Sequence, residues 1–147
     1  MEVPKPAAIL QYFRRDQSDG VTAPDLRKTG TYAEHIVRAR GKRTQLTSVS
    51  SNLSRVKDFG DTTYRLKRPD LDADGHLLIE HQKLLDELRK SASTSLKEER
   101  ARAIQALRYA ERRSEGLIEW KFDTSGVEPK DAITWAFNKI QKYFTKQ

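Results

Sequence analysis

The stretch Gln45-Leu46-Thr47-Ser48-Val49-Ser50-Ser51-Asn52-Leu53-Ser54-Arg55-Val56-Lys57-Asp58-Phe59-Gly60 decides how the chain is read. It opens in alternation, Leu46 and Ser48 on one side and Thr47 and Val49 on the other, which predicts a short strand. A Ser/Asn cluster then turns the chain into a short helix in which Leu53, Val56 and Phe59 share one buried face. A strand edge lined with hydroxyls and packed against a helix makes a wall for a polar ligand. Such edges also occur as plain structure, so the flanking residues carry the reading.

The chain has 147 residues, 36% of them hydrophobic and 33% charged, enough apolar material for one domain with a real core. No apolar run approaches membrane-spanning length, and no signal-peptide pattern opens the chain. Cysteine is absent, which excludes disulfides and thiolate metal sites. The net charge of +7 favours a negatively charged partner: a nucleotide, a nucleic acid or an acidic protein. Basic residues rise locally at Arg38, Arg40, Lys42 and Arg43, but no nucleic-acid-binding motif accompanies them.

Outward from that stretch, Glu2-Val3-Pro4-Lys5-Pro6 reads as the end of a linker, residues 1–8, and implies a domain, residues 9–147, cut from a longer polypeptide. A first strand is expected over 9–16, ending in Arg14 and Arg15. A guanidinium held at the end of a buried strand suits phosphate, because its donors match phosphate oxygens in fixed geometry. Residues 23–30 read as one helical turn stopped by Gly30, and 31–40 as a helix with Tyr32, His35, Ile36 and Ala39 in one stripe. A strand is expected over 61–67 and a turn-rich break over 69–75. Helices are expected over 76–90 and 95–113, the second opened by a Ser95/Glu98 capping box, together forming a hairpin. A strand over 117–123 places Glu119 amid packed neighbours. A last helix is expected from Ala132 onward, with Ile133, Ala136, Phe137, Ile140 and Phe144 on one face and Ile133-Thr134-Trp135 alternatively a strand.

Several chemistries fail on spacing. Gly41-Lys42 lacks the upstream glycine of a phosphate-binding loop and is followed by Arg43. His76 and His81 are five apart, so they do not stack on one helical face beside Glu80 to hold zinc, and no metal site is expected. No Gly-x-Ser-x-Gly turn supports a serine nucleophile.

Three separated pieces share an order: Arg at the end of a first strand, a Thr-Ser strand edge, and Glu in a late strand. This order resembles the cholera- and pertussis-toxin-like mono-ADP-ribosyltransferases. Phe13-Arg14-Arg15-Asp16-Gln17, then Pro24-Asp25-Leu26 through Thr29-Gly30, is similar to the family's first strand with its Pro-acidic turn. Leu46-Thr47-Ser48-Val49-Ser50 resembles its Ser-Thr-Ser element, with Leu46 replacing the first Ser. Glu119, followed by Val127-Glu128-Pro129 and Ile133, resembles the third element. The likeness leaves out the helical pair.

The resemblance implies an α+β fold with a split, mixed β-sheet core and an inserted helical hairpin. It also implies NAD as substrate, transfer of ADP-ribose to a macromolecular acceptor, and release of nicotinamide. Glu119, Arg14 and Ser48 would be catalytic. Arg14, Thr47, Ser48 and His35 would contact NAD, and Phe59 or Tyr64 would stack on nicotinamide. Arginine-modifying members carry a second Glu or Gln two residues before the catalytic Glu; here Leu117 stands there, with Glu115 further upstream. Glu80 is the competing carboxylate. The implied setting is a monomeric toxin domain, delivered from a larger secreted effector into a target-cell cytoplasm and met by a cognate immunity protein, with no membrane role. An NAD glycohydrolase of the same fold and a non-enzymatic basic nucleic-acid-binding module are the competing readings.

Overall fold

The Leu46–Ser50 alternation forms β2, a central strand buried on both faces. In this computed structural model the described residues are 11–38 and 42–147. The expected linker 1–8, the first strand's Ile9 and Leu10, and Ala39 and Arg40 of the expected first helix lie outside them. β2 pairs along its whole length with β5 (Glu115–Glu119), from Leu46↔Glu119 to Ser50↔Glu115. With β1 (Phe13–Asp16), β3 (Thr62–Leu66), β4 (Leu77–Ile79) and β6 (Phe144–Lys146) it makes one six-stranded sheet in the order β4-β5-β2-β1-β3-β6.

The α+β class stands, but the expected mixed sheet is corrected: every pairing among the described residues is antiparallel. The hairpin of α3 (His81–Ala92) and α4 (Lys97–Arg113) explains one of these pairings. Two helices return the chain to the end it left, so β5 runs back against β4. A single crossover helix would have delivered it parallel. The seam between β1 and β2 is thin. They share only Phe13↔Ser50, whereas β1 and β3 share four register pairs and β2 and β5 five.

Each sheet face has its own core. On one face Leu46, Ile79 and Leu117 meet Leu84, Leu85 and Leu88 of α3 and Ala106 and Ala110 of α4. On the other, Tyr12, Val49, Tyr64, Leu78 and Ile118 pack with Trp120, Ile140 and Tyr143. Fully burying a leucine such as Leu84 or Leu88 contributes about 1.5–3 kcal/mol.

Local expectations shift where short-range pattern competes with packing. Residues 77–79, expected in a helix, extend as β4 because the edge of β5 supplies their backbone partners. The Ser95/Glu98 capping box does not form; Leu96 is the cap, and its N–H reaches Thr94 Oγ1 at 3.4 Å. The turn expected over 23–30 is not helical: Asp25 Oδ1 takes the backbone N–H of Arg27 at 3.1 Å and its Nε at 2.9 Å. Residues expected as a break instead form α2 (Arg68–Ala73), followed by Gly75 at φ +81°. α1 is Tyr32–Ile36, opened by a Thr31/Glu34 capping box. α5 is Ala132–Ile140, and Phe144, expected at the end of that helix, lies in β6.

Candidate active site

A cleft of about 620 Å³ lies at the thin β1–β2 seam, within the range of about 300–1,000 Å³ typical of ligand pockets. Its walls are Phe13, Arg14, Arg15 and Asp16 of β1 and Ser48, Val49 and Ser50 of β2. Arg38, Phe59, Arg113 and Glu115 close it. Where the sheet lacks a ladder, backbone and side-chain polar groups face space rather than a neighbouring strand.

Arg14 stitches the seam. Its Nε donates to Asp16 Oδ2 and its Nη1 to the Ser48 carbonyl, each at 2.7 Å. Asp16 is buried and also accepts from Gln17 N, Thr22 N and Thr22 Oγ1, each at 2.8 Å. Burial pushes the Asp16 carboxyl up, but the Arg14 charge and these donors outweigh it and hold the group below its ordinary range. The guanidinium is thereby fixed in place with one edge still on the cleft, and its side chain is 18% exposed.

Three carboxylates line the cleft, Asp16, Asp58 and Glu115, and Glu115 is the one held by Ser48. It is 2% exposed, and Ser48 Oγ donates to its Oε2 at 3.2 Å. Arg113 Nη1 lies 3.6 Å from Oε1. Burial raises the Glu115 carboxyl, opposed in part by the charges of Arg113 and Arg38 and by the Ser48 bond. The preceding residue, Ser114, closes α4 in the left-handed region at φ 48°, ψ 44°. That backbone turn aims the first side chain of β5 at the seam.

Behind Ser48 stands a buried relay. His35 Nε2 lies 2.7 Å from Ser48 Oγ, and His35 Nδ1 contacts Thr44 Oγ1, which accepts the Leu46 N–H at 3.2 Å. One proton assignment satisfies every partner while Glu115 is ionised: Thr44 donates to Nδ1, Nε2–H to Ser48, and Ser48 to Glu115. Burial, then the positive charges of Arg38, Arg14 and Arg113, push His35 down to about 2. His35 is thus a neutral orienting group, buried behind Ser48 and not part of the cleft wall.

The neutral imidazole has a sign-definite consequence. The unfolded chain protonates His35 near its ordinary 6.5, whereas the folded one refuses the proton until about 2. Stability is therefore fully present above pH 6.5 and falls below it, by about 1.4 kcal/mol per pH unit for each such histidine. Buried His76, also depressed by desolvation, adds to this slope. Glu115, raised on folding, acts oppositely, its penalty easing as pH falls. In Glu115→Gln, which lacks this opposing carboxyl, the urea midpoint should drop between pH 7.5 and 5. A flat or rising midpoint would overturn the assignment.

The structure brings together Arg14 and Ser48 as expected, but not Glu119, and this corrects the sequence reading. Glu119 lies at the far end of β5, four residues or about 13 Å of strand from Glu115. Its carboxylate takes the Tyr32 hydroxyl at 2.8 Å and the Lys121 ammonium at 3.1 Å. Desolvation and this carboxylate push the Tyr32 hydroxyl up to about 12. Thr47 points to the opposite sheet face, where its Oγ1 takes the Trp120 indole N–H at 2.9 Å. Tyr64 is also removed from the site: it is buried in the core, its hydroxyl bonded to the Gln17 carbonyl at 2.5 Å. Glu80, the competing carboxylate, pairs with Arg68 at 2.7 Å.

Phe59 is the exposed aromatic of the cleft, beside half-buried Phe13. The helix expected over 53–59 is only a 3-10 turn at Leu53–Arg55, and Phe59 is 56% exposed at the cleft instead of buried. Arg113 lies over its ring at 5.1 Å. Arg15 anchors this loop, its Nε and Nη2 reaching the Gly60 carbonyl at 3.0 and 2.6 Å. A Cβ on Gly60 would stand 2.6–2.7 Å from backbone atoms of Asp16, so only glycine lets the loop dock. Sequence reasoning missed Arg113 and Thr44, named Glu115 without giving it the catalytic role, and took Arg15 as a phosphate-binding group where the structure uses it to anchor the Phe59 loop. The one usable signal was that Glu115 shares its face with Glu119 if the strand starts two residues earlier.

Among the described residues no group of three or more His, Cys, Asp or Glu is arranged to hold a metal ion, and no helix is long and apolar enough to cross a membrane. In comparisons with protein-family models, with curated proteins and with solved structures, nothing matches this chain.

Proposed function

We propose that this chain is an NAD-dependent mono-ADP-ribosyltransferase domain of the cholera- and pertussis-toxin-like class, with Glu115 as its catalytic carboxylate. The observation that carries the reading is the convergence of Arg14, Ser48 and Glu115, from three strands, on one cleft at the seam of the sheet. Cleaving the nicotinamide–ribose bond builds positive charge on the ribose, as in glycoside hydrolysis. A carboxylate beside C1′ then stabilises the transition state more than the bound substrate. Burial strengthens that effect, since a low-dielectric site screens the attraction little. Ser48, braced by His35, aims the carboxylate. Arg14 and Arg38 supply guanidinium donors for the pyrophosphate. Phe59 offers a ring face to nicotinamide.

The setting that goes with this reading is a toxin domain released from a larger secreted effector into a target cell, acting as a monomer and countered by an immunity protein. The residue two places before Glu115 is Arg113, where arginine-modifying relatives of this class hold Glu or Gln. Its positive charge speaks against an arginine acceptor.

The test is to incubate the purified protein with adenylate-labelled NAD and cell lysate, following free nicotinamide and the label together. Nicotinamide release with label retained on a macromolecule is the expected result. Release with all label as free ADP-ribose would make it a glycohydrolase, and no release would overturn the enzyme reading.

A further inference from the structure

The row of guanidiniums on α4 leads from open solvent into the cleft. Arg102, Gln105, Tyr109 and Arg113 are spaced by three and four residues, which places them along one side of the helix. Arg108 and Arg112 flank that row and are exposed. At its end Arg113 lies between two rings, 4.9 Å from the Tyr109 centroid and 5.1 Å from that of Phe59. Arg112 stacks on Tyr109 at 5.7 Å.

The neighbouring helix makes the contrast. On α3, Lys83 and Lys90 pair with Glu87, and Arg89 pairs with Asp86. On α4, Arg102, Arg108 and Arg112 have no carboxylate within 4.0 Å among the described residues. Glu98 and Glu111 share the helix without pairing directly with these residues, and cations held close together without an ion pair repel each other, a cost that an anionic partner relieves. Across the cleft, Arg55 and Lys57 are exposed on the loop that carries Phe59.

We infer that the macromolecular acceptor is a nucleic acid, its phosphates lying along Arg102, Arg108 and Arg112 and an unpaired base resting against Tyr109 at the mouth of the cleft. The inference rests on the transferase reading and names the substrate class of the same site. Guanidiniums interleaved with a half-buried ring fit a phosphate backbone with stacked bases better than they fit an acidic protein, which matches the charges alone. In the transfer, the bond from ribose C1′ to nicotinamide breaks with both electrons leaving on nicotinamide, which departs neutral. An oxygen or nitrogen of the nucleic acid forms the new bond to C1′, and its proton passes to solvent.

The experiment has two arms. First, NAD labelled in the adenylate is given to the wild-type protein with single-stranded RNA, single-stranded DNA, or nuclease-treated lysate protein. Label on RNA or DNA is expected; label only on protein overturns the proposal. Nicotinamide release without any labelled nucleic acid overturns it too, whereas absence of release overturns the transferase reading beneath it. Second, binding of fluorescent single-stranded RNA is titrated against salt for wild type and for Arg102→Gln/Arg108→Gln/Arg112→Gln. The slope of log affinity against log salt should fall by about 2 in the triple variant, from about 0.7 per lost phosphate contact. An unchanged slope in a variant with wild-type thermal unfolding overturns the assigned row. If the variant does not fold, a wild-type affinity insensitive to salt does so instead.

Discussion

Replacing Glu115 by Gln should reduce nicotinamide release by about 10²–10³-fold, the range for losing one preorganised electrostatic group from a catalytic site. Glu119→Gln should stay close to wild type. The contrast follows from register. Glu119 is occupied by Tyr32 and Lys121 outside the cleft, whereas Glu115 sits within it, held by Ser48 and beside Arg113. Stability supplies a second, opposite signature. Burial raises the Glu115 carboxyl, so the folded state resists ionising it and loses stability as pH rises through that window. A neutral amide removes this cost, so Glu115→Gln should melt at or above the wild-type temperature at pH 7.5 while losing activity. Parallel calorimetry and nicotinamide assays at that pH check both. Equal loss of activity in the two variants, or a large drop in melting temperature for Glu115→Gln, would count against the catalytic assignment.

Arg14→Lys should fail on both activity and stability, although it keeps the charge. The guanidinium makes two divergent bonds, to Asp16 Oδ2 and to the Ser48 carbonyl, each at 2.7 Å. An ammonium on a flexible stem cannot hold both in that geometry and also face a phosphate. Asp16 keeps three other donors, so the loss is smaller than for a fully orphaned buried charge, about 2–3 kcal/mol. The seam has a single register pair, so losing its side-chain stitch shifts β2 and with it Ser48. Displacement of a catalytic group by about 1 Å costs on the order of 10²-fold in rate. Urea unfolding together with nicotinamide release measures the two losses. A variant as stable and as active as wild type would remove Arg14 from both roles.

How far the chain could be read from its residues depended on the range of the deciding interaction. β2 was legible from its short run of Leu, Thr, Ser and Val closed by a Ser/Asn turn, and not from a period of two in hydrophobicity, because its two sides face two different cores. The leucine stripe of α3 and the alanine-rich stripe of α4 carried the helical hairpin, because each helix buries one side only. Arg14 and Ser48 were recoverable because each lies on a strand whose pattern is local. β4 was hidden: Leu77-Leu78-Ile79 suits a helix stripe or an edge strand equally, and only the open edge of β5 selects the strand.

The glutamate was misassigned for a physical reason. Glu115 and Glu119 share one face of β5, and side-chain alternation cannot tell them apart. The separation comes from pairing, which sets Glu115 opposite Ser50 and Glu119 opposite Leu46, hence one beside the β1–β2 seam and the other away from it. Phe59 follows the same logic, because Arg15 and Gly60 pin its loop to β1 and turn the ring outward. Residue order and hydrophobic period determined most of the strands and helices, β4 and α2 excepted, and which chemical groups were present. Cross-strand register and the docking of one loop decided which of those groups meet, since both depend on contacts between residues far apart in the chain.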